Sequence, residues 1–272
     1  MGRFPLLLLL FFFFLAGPGA AGASVVESAY APGVVFYTWS DAVREYAVVG
    51  GGAVPTATVY CFPDDICTTA EHPEWARDAA CEKWSPRLAE RLDASLGRLI
   101  EAGLPPGLLA GLRVYVLPAY HLALPENPEK PVAGLYSRGR VAVAGLDLFP
   151  EYTFLHELGH YLADRVLGAE GYDWIPNVGR KAALLKDYLA LRGYPAERLL
   201  DASFQTSLPW RERAGEWFAE DFAYWAWWCI EGRRPWEGSY KAACGVPGEE
   251  VVAWFNLVFA QCGGASDEGA YR

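Results

Sequence analysis

Residues Thr153 to Asp164 read TFLHELGHYLAD and carry His156 and His160, two of the four histidines in the chain, with Glu157 between them. Histidines four apart on an α-helix share one face, one turn above the other. Two imidazoles held this way can present nitrogens to one Zn2+ at about 2.0–2.1 Å each. Glu157 is rotated by about 100° from His156. It therefore stands beside such a metal rather than on it, where a carboxylate can hold and deprotonate a zinc-bound water. Leu155, Leu158, Leu162 and Val166 form the opposite face and can bury the helix. Gly159 is costly in a helix interior, by about 0.5–1 kcal/mol relative to Ala, which points to close approach of another backbone.

A catalytic zinc needs a third protein ligand and an open fourth position. The remaining histidines, His72 and His121, fall on no predicted helix, and Val166 stands six residues after His160, where a three-histidine site would need its last ligand. The best carboxylates lie in RAGEWFAEDFAYW, where Glu216 and Glu220 are four apart on a strongly predicted helix. That helix is otherwise apolar almost all round, and an uncompensated buried carboxylate costs several kcal/mol. A metal with its histidines would offset that cost. The favoured arrangement has Glu216 as direct ligand and Glu220 behind it, accepting a histidine N–H. Asp221 and Asp164 are lesser candidates, and a solvated edge near Arg211 and Arg213 is the non-metal alternative.

HELGH followed by EWFAE resembles the glutamate-zincin metallopeptidases, in particular their anthrax-lethal-factor-like branch. His156, Glu157 and His160 match the first motif of that family, and Glu216, Ala219 and Glu220 match the second. The likeness covers Leu112 to Ile230 and includes the hairpin sequence GLYSRGRVAVAG ahead of the helix. It implies a zincin-like fold, Zn2+ as cofactor, and an extended peptide or protein substrate added to an edge strand at Val141, Ala142, Val143 and Ala144. There is one departure. Such enzymes carry an oxyanion-stabilising tyrosine shortly before the ligand glutamate, whereas SFQTSLPWRERAG has Pro209 and Trp210 there. Arg213, Tyr172 and Tyr188 are the candidate donors. The expected activity is zinc-dependent endopeptidase action through water activated by Glu157. The alternatives are a zinc amidase acting on a non-protein substrate and a catalytically degenerate scaffold that only binds.

The elements that must position these residues follow from pattern. VVFYTW and TATVY predict short strands, and Cys61 to Trp84 a disulfide-pinned loop. Ser85-Pro86 has the form of a helix start, with Leu88, Leu92, Leu96, Leu99 and Ile100 at helical spacing up to Gly103. LRVYVLP predicts a buried strand, LPENPEKP a loop, and GLYSRGRVAVAG two strands around Ser137 to Arg140. Helices are predicted at about 151–167, 178–192, 213–231 and 248–261, three of them closed by Gly168, Gly193 and Gly232. A small sheet followed by helices is an α+β order. The expected architecture is a small mixed or antiparallel sheet with an exposed edge strand, an active-site helix and a mostly helical C-terminal half. Residues 24–84 form an N-terminal elaboration and 85–272 the zincin-like domain.

Arg3, the apolar run Leu6 to Leu15 and the small residues through Ala23 have the layout of a secretory signal peptide over residues 1–23. The run is too short to span a bilayer. A formal charge of −10 disfavours nucleic-acid partners, which need a basic patch. In an exported chain the six cysteines favour disulfides. With three near each end, full pairing requires at least one bridge between the ends.

Overall fold

The computed structural model describes residues 25–38, 47–48, 58–61, 67–70, 79–117, 121–124, 127–145, 147–168, 180–195, 207–236 and 238–263. The predicted signal peptide, His72 and Tyr172 lie outside them. The strands are β1 (Val25–Glu27), β2 (Val35–Tyr37), β3 (Ala47–Val48), β4 (Thr58–Cys61), β5 (Cys67–Ala70), β6 (Arg113–Leu117), β7 (His121–Leu124), β8 (Asn127–Val132), β9 (Gly134–Ser137) and β10 (Arg140–Ala144). The helices are α1 (Ala79–Glu101), α2 (Pro150–Leu162), α3 (Arg180–Leu191), α4 (Ala214–Glu231) and α5 (Glu249–Gly263). None of the described helices is long and apolar enough to cross a membrane.

The α+β order holds, with a five-stranded mixed sheet in the order β1-β2-β6-β10-β9. β6 runs parallel to both β2 and β10, while β1 and β9 are antiparallel to their neighbours. A second five-stranded sheet has the order β3-β4-β5-β7-β8. Val114, Val116, Val141 and Val143 sit on one face of the first sheet and join the core with Leu88, Leu92, Leu96 and Leu99 of α1. The β9–β10 turn is closed by Arg138 and Gly139, both at positive φ (46° and 79°), as a two-residue hairpin of type I′ needs.

Four expectations change. β10 is not an edge strand: Val141, Ala142, Val143 and Ala144 are all at 0 % exposure, between β6 and β9. Both faces of this strand are covered. Among the described residues β9 is the outer strand on this side of the sheet. A boundary at residue 84 also fails, because β1 and β2 pair into the main sheet and Phe36 is fully buried there. Cys61 to Trp84 is not one loop, since it holds β5 and the start of α1, whose Ala79, Ala80, Glu82 and Lys83 are good helix formers that carry the helix back past Ser85-Pro86. LPENPEKP likewise contributes β8, and its prolines are tolerated because β8 is the last strand of its sheet.

The C-terminal helices fall within about two residues of their predicted bounds, and Gly168, Gly193 and Gly232 all have φ between 63° and 65°. The last turn after α2, Ala163–Leu167, is π-helical. α4 is core on most of its surface. Phe218, Phe222 and Trp225 meet Phe255 and Phe259 of α5 at ring-centroid distances of 5.0–6.2 Å. Cys229 and Cys244 are thiols and join no bridge between the chain ends. Cys229 is half-buried against the core, and Cys244 Sγ lies 2.8 Å from the Arg192 guanidinium.

On the far side of α4 from the histidines, Asp221 is fully buried. It accepts hydrogen bonds from Tyr188 (2.7 Å) and Tyr240 (2.6 Å), and Arg192 Nε lies 2.9 Å from Oδ2. Burial pushes its carboxyl up to about 6, against the pull of Arg192 and the two phenols. This network ties α3 and the 239–245 segment to α4. Asp221→Ala would leave a buried guanidinium without its counter-charge and two phenols without their acceptor. It is expected to cost about 3–5 kcal/mol in thermal or denaturant unfolding.

Candidate metal centre

α2 follows directly from the sheet: β10 ends at Ala144, the chain turns, and Pro150 opens the helix at a position where its missing N–H costs nothing. Leu155, Leu158 and Leu162 are buried, which turns His156 and His160 toward α4. The two helices meet closely at Gly159. A Cβ there would stand 2.7 Å from Ala219 Cα and 3.0 Å from Ala219 O. The sequence reading of Gly159 as a close-approach position therefore has its partner, the Ala of EWFAE.

That crossing brings Glu216 to the histidines. Its Oε2 lies 3.2 Å from His156 Nε2 and 3.3 Å from His160 Nε2. The three side chains are largely buried, at 12 %, 19 % and 13 % exposure. Bonds of about 2.0–2.1 Å at tetrahedral angles put ligand atoms about 3.3–3.4 Å apart. The observed separations match those edges, and the donor set of two imidazole nitrogens and one carboxylate oxygen could hold a metal ion.

The electrostatics have the same character. Burial alone would lower the His156 pKa, but Glu216, Glu220 and Glu157 outweigh it and hold the imidazole at about 9. Burial would raise Glu216, but the two imidazoles outweigh it and hold its carboxyl well below the ordinary range. A divalent cation bound here would take over the charge balance that protons otherwise supply.

Glu220 stands behind His156, with Oε1 3.6 Å from Nδ1, and accepts a hydrogen bond from Tyr152 at 3.3 Å. Burial raises its pKa, and His156 and Tyr152 lower it. Removal of such a partner typically weakens metal affinity 10–100-fold. Glu220→Ala is expected to weaken zinc binding within that range, by chelator competition, while leaving Glu216 in place. An unchanged affinity would remove Glu220 from the metal site.

Glu157 lies against the edge strand. Burial raises its pKa, against the pull of His156 and His160, and the Tyr136 backbone N–H of β9 donates to its carboxylate. Gly134 makes this contact feasible, since a Cβ there would meet Thr153 Cγ2 at 2.5 Å and Glu157 Cγ at 2.7 Å. The Tyr136 ring stacks over His160 at 6.4 Å, and its hydroxyl donates to Asp164 at 2.8 Å. Asp164 thus serves the hairpin, and Asp221 the network behind α4. Neither joins the metal group. Gly134 and Tyr136 were not legible in the sequence because the strand-like alternation of GLYSRGRVAVAG lies in its other half. Their signal was the glycine opening that segment.

Of the expected oxyanion donors, Tyr188 is excluded: it is fully buried and its hydroxyl is bound to Asp221. Arg213 caps α4 three residues before Glu216, with Nε donating to Leu208 O at 3.1 Å. Trp210, one turn ahead of α4, packs its ring 5.9 Å from that of His156. Searches of protein-family profiles, of curated proteins and of solved structures found no match to this chain.

Proposed function

We propose that this chain is a zinc-dependent endopeptidase that takes its substrate as an added strand on β9. The observation that carries the reading is the convergence of Glu216 Oε2, from a separate helix, on both imidazoles of HELGH at 3.2 and 3.3 Å. The likeness of HELGH and EWFAE to the lethal-factor-like zincins supports the same assignment. The apolar run before residue 24 supports export.

His156, His160 and Glu216 would hold the zinc, which would supply Lewis acidity toward a water and a carbonyl oxygen. Glu157 takes the proton of the attacking water and returns it to the leaving amine. Burial raises its pKa, the direction that strengthens a base. The Tyr136 N–H fixes the carboxylate, and Glu220 orients His156. An extended substrate pairs with β9 and not with Val141–Ala144, which lie inside the sheet. Because Gly134 and Tyr136 lie on α2, a strand added there runs beside Glu157 and both histidines.

Metal analysis and peptide cleavage test the proposal. Purified protein is expected to hold about one zinc per chain, to cleave a mixed peptide library, and to lose both properties in Glu216→Ala. Protein that takes up no zinc would sink the reading. Zinc binding without cleavage of any peptide would favour the binding scaffold or the non-protein amidase.

A further inference from the structure

We propose that the indole N–H of Trp210 is the donor that stabilises the oxyanion in this reaction, an inference that rests on the peptidase reading above. Attack on a carbonyl moves charge onto its oxygen, and one fixed donor at that position is worth about 10²–10³ in rate. The neighbouring tyrosine hydroxyls are committed elsewhere, Tyr136 to Asp164 and Tyr152 to Glu220, and Tyr188 gives its own to Asp221 on the far side of α4. Arg213 turns its Nε onto the Leu208 carbonyl.

Trp210 differs from all of these. Its ring is tilted 31° to that of His156 at 5.9 Å, and the residue is 39 % exposed. Among the described residues its indole N–H has no protein acceptor. Trp217 and Trp225 give theirs to Arg211 O and Asn256 Oδ1, and of the described indoles left without an acceptor Trp210 is the one whose ring lies against a histidine of the site. Indole is a donor only, so it offers a hydrogen bond without competing for the metal.

The turn that carries Trp210 is also fixed before any substrate arrives. Arg211 O accepts from Trp217 Nε1 and from the Ala243 N–H, each at 2.8 Å. Glu212 O accepts from the Tyr194 hydroxyl at 2.9 Å, and Trp210 O from the Arg213 N–H at 3.2 Å. Preorganisation of this kind is what makes a donor effective at the moment charge develops.

The test is nuclear magnetic resonance of 15N-indole-labelled, zinc-loaded protein, with the Trp210 signal identified by its loss in Trp210→Phe. Acetohydroxamate is the probe, because it places an oxyanion on a metal. The expected result is a downfield shift and slower exchange of the Trp210 indole proton, in zinc-loaded protein only. Trp210→Phe, which keeps the ring against His156, is then expected to lower kcat about 10²-fold with KM little changed. Hydroxamate binding that leaves the indole signal unmoved overturns the assignment while the zinc site stands. A Trp210→Phe effect on KM alone also overturns it and makes Trp210 a wall for a substrate side chain. Protein that takes up no zinc defeats the peptidase reading and this role with it.

Discussion

Glu157→Gln is expected to retain zinc at the parent stoichiometry while peptide cleavage falls by about 10²–10⁴, the range supplied by a positioned general base. The substitution is nearly isosteric, and the amide oxygen can still accept from the Tyr136 N–H. Nor should it weaken the fold. Burial already raises the pKa of this carboxyl, so a neutral amide suits the site at least as well. Metal analysis, thermal unfolding and single-turnover cleavage on the same preparation separate these effects. Cleavage at the parent rate with zinc bound would remove Glu157 from the chemistry.

The second large effect is expected at Gly159. A methyl group there meets Ala219 Cα at 2.7 Å and Ala219 O at 3.0 Å, both main-chain atoms that cannot rotate away. Overpacking of this kind costs about 1–3 kcal/mol, with the rigid obstruction placing it at the upper end. The better helix propensity of Ala returns about 1 kcal/mol. A net loss of about 2 kcal/mol corresponds to a fall in Tm of about 4–8 °C for a chain of this size. Zinc affinity should fall more than tenfold, because relief requires α2 and α4 to part and Glu216 to withdraw. Ala219→Gly is not expected to rescue Gly159→Ala, since the obstruction is backbone. Full rescue would show that side-chain crowding, not helix approach, holds the site.

Much of the site was legible because its geometry is local. The histidine pair, the Glu216–Glu220 pair and the demand of Gly159 for a neighbour are all consequences of 3.6-residue periodicity. Helix ends were legible because Gly168, Gly193 and Gly232 each supply a left-handed stop. The edge strand was not, because being last in a sheet is decided by pairing. β10 acquires β6 as a second neighbour from residues Arg113 to Leu117, and nothing within RVAVA signals that. β2 was missed as a sheet member for the same reason, since Phe36 pairs with Val114 from far away in the chain. Tyr188 shows a third limit. Helical spacing assigns it a face of α3 but not the buried Asp221 that claims its hydroxyl.

The crossing of α2 and α4 has a mechanical side. Its contact point, Gly159 on Ala219, works as a fulcrum that lies next to His160 and three residues from Glu216. Three residues of helix span about 4.5 Å. A rocking of ~5° about so short an arm displaces a ligand by only ~0.4 Å. The same rocking at the far end of α4, twelve residues from Ala219 and about 18 Å along the axis, sweeps ~1.6 Å. The molecule can therefore breathe at the outer ends of its helices while the metal-bearing centre stays almost still.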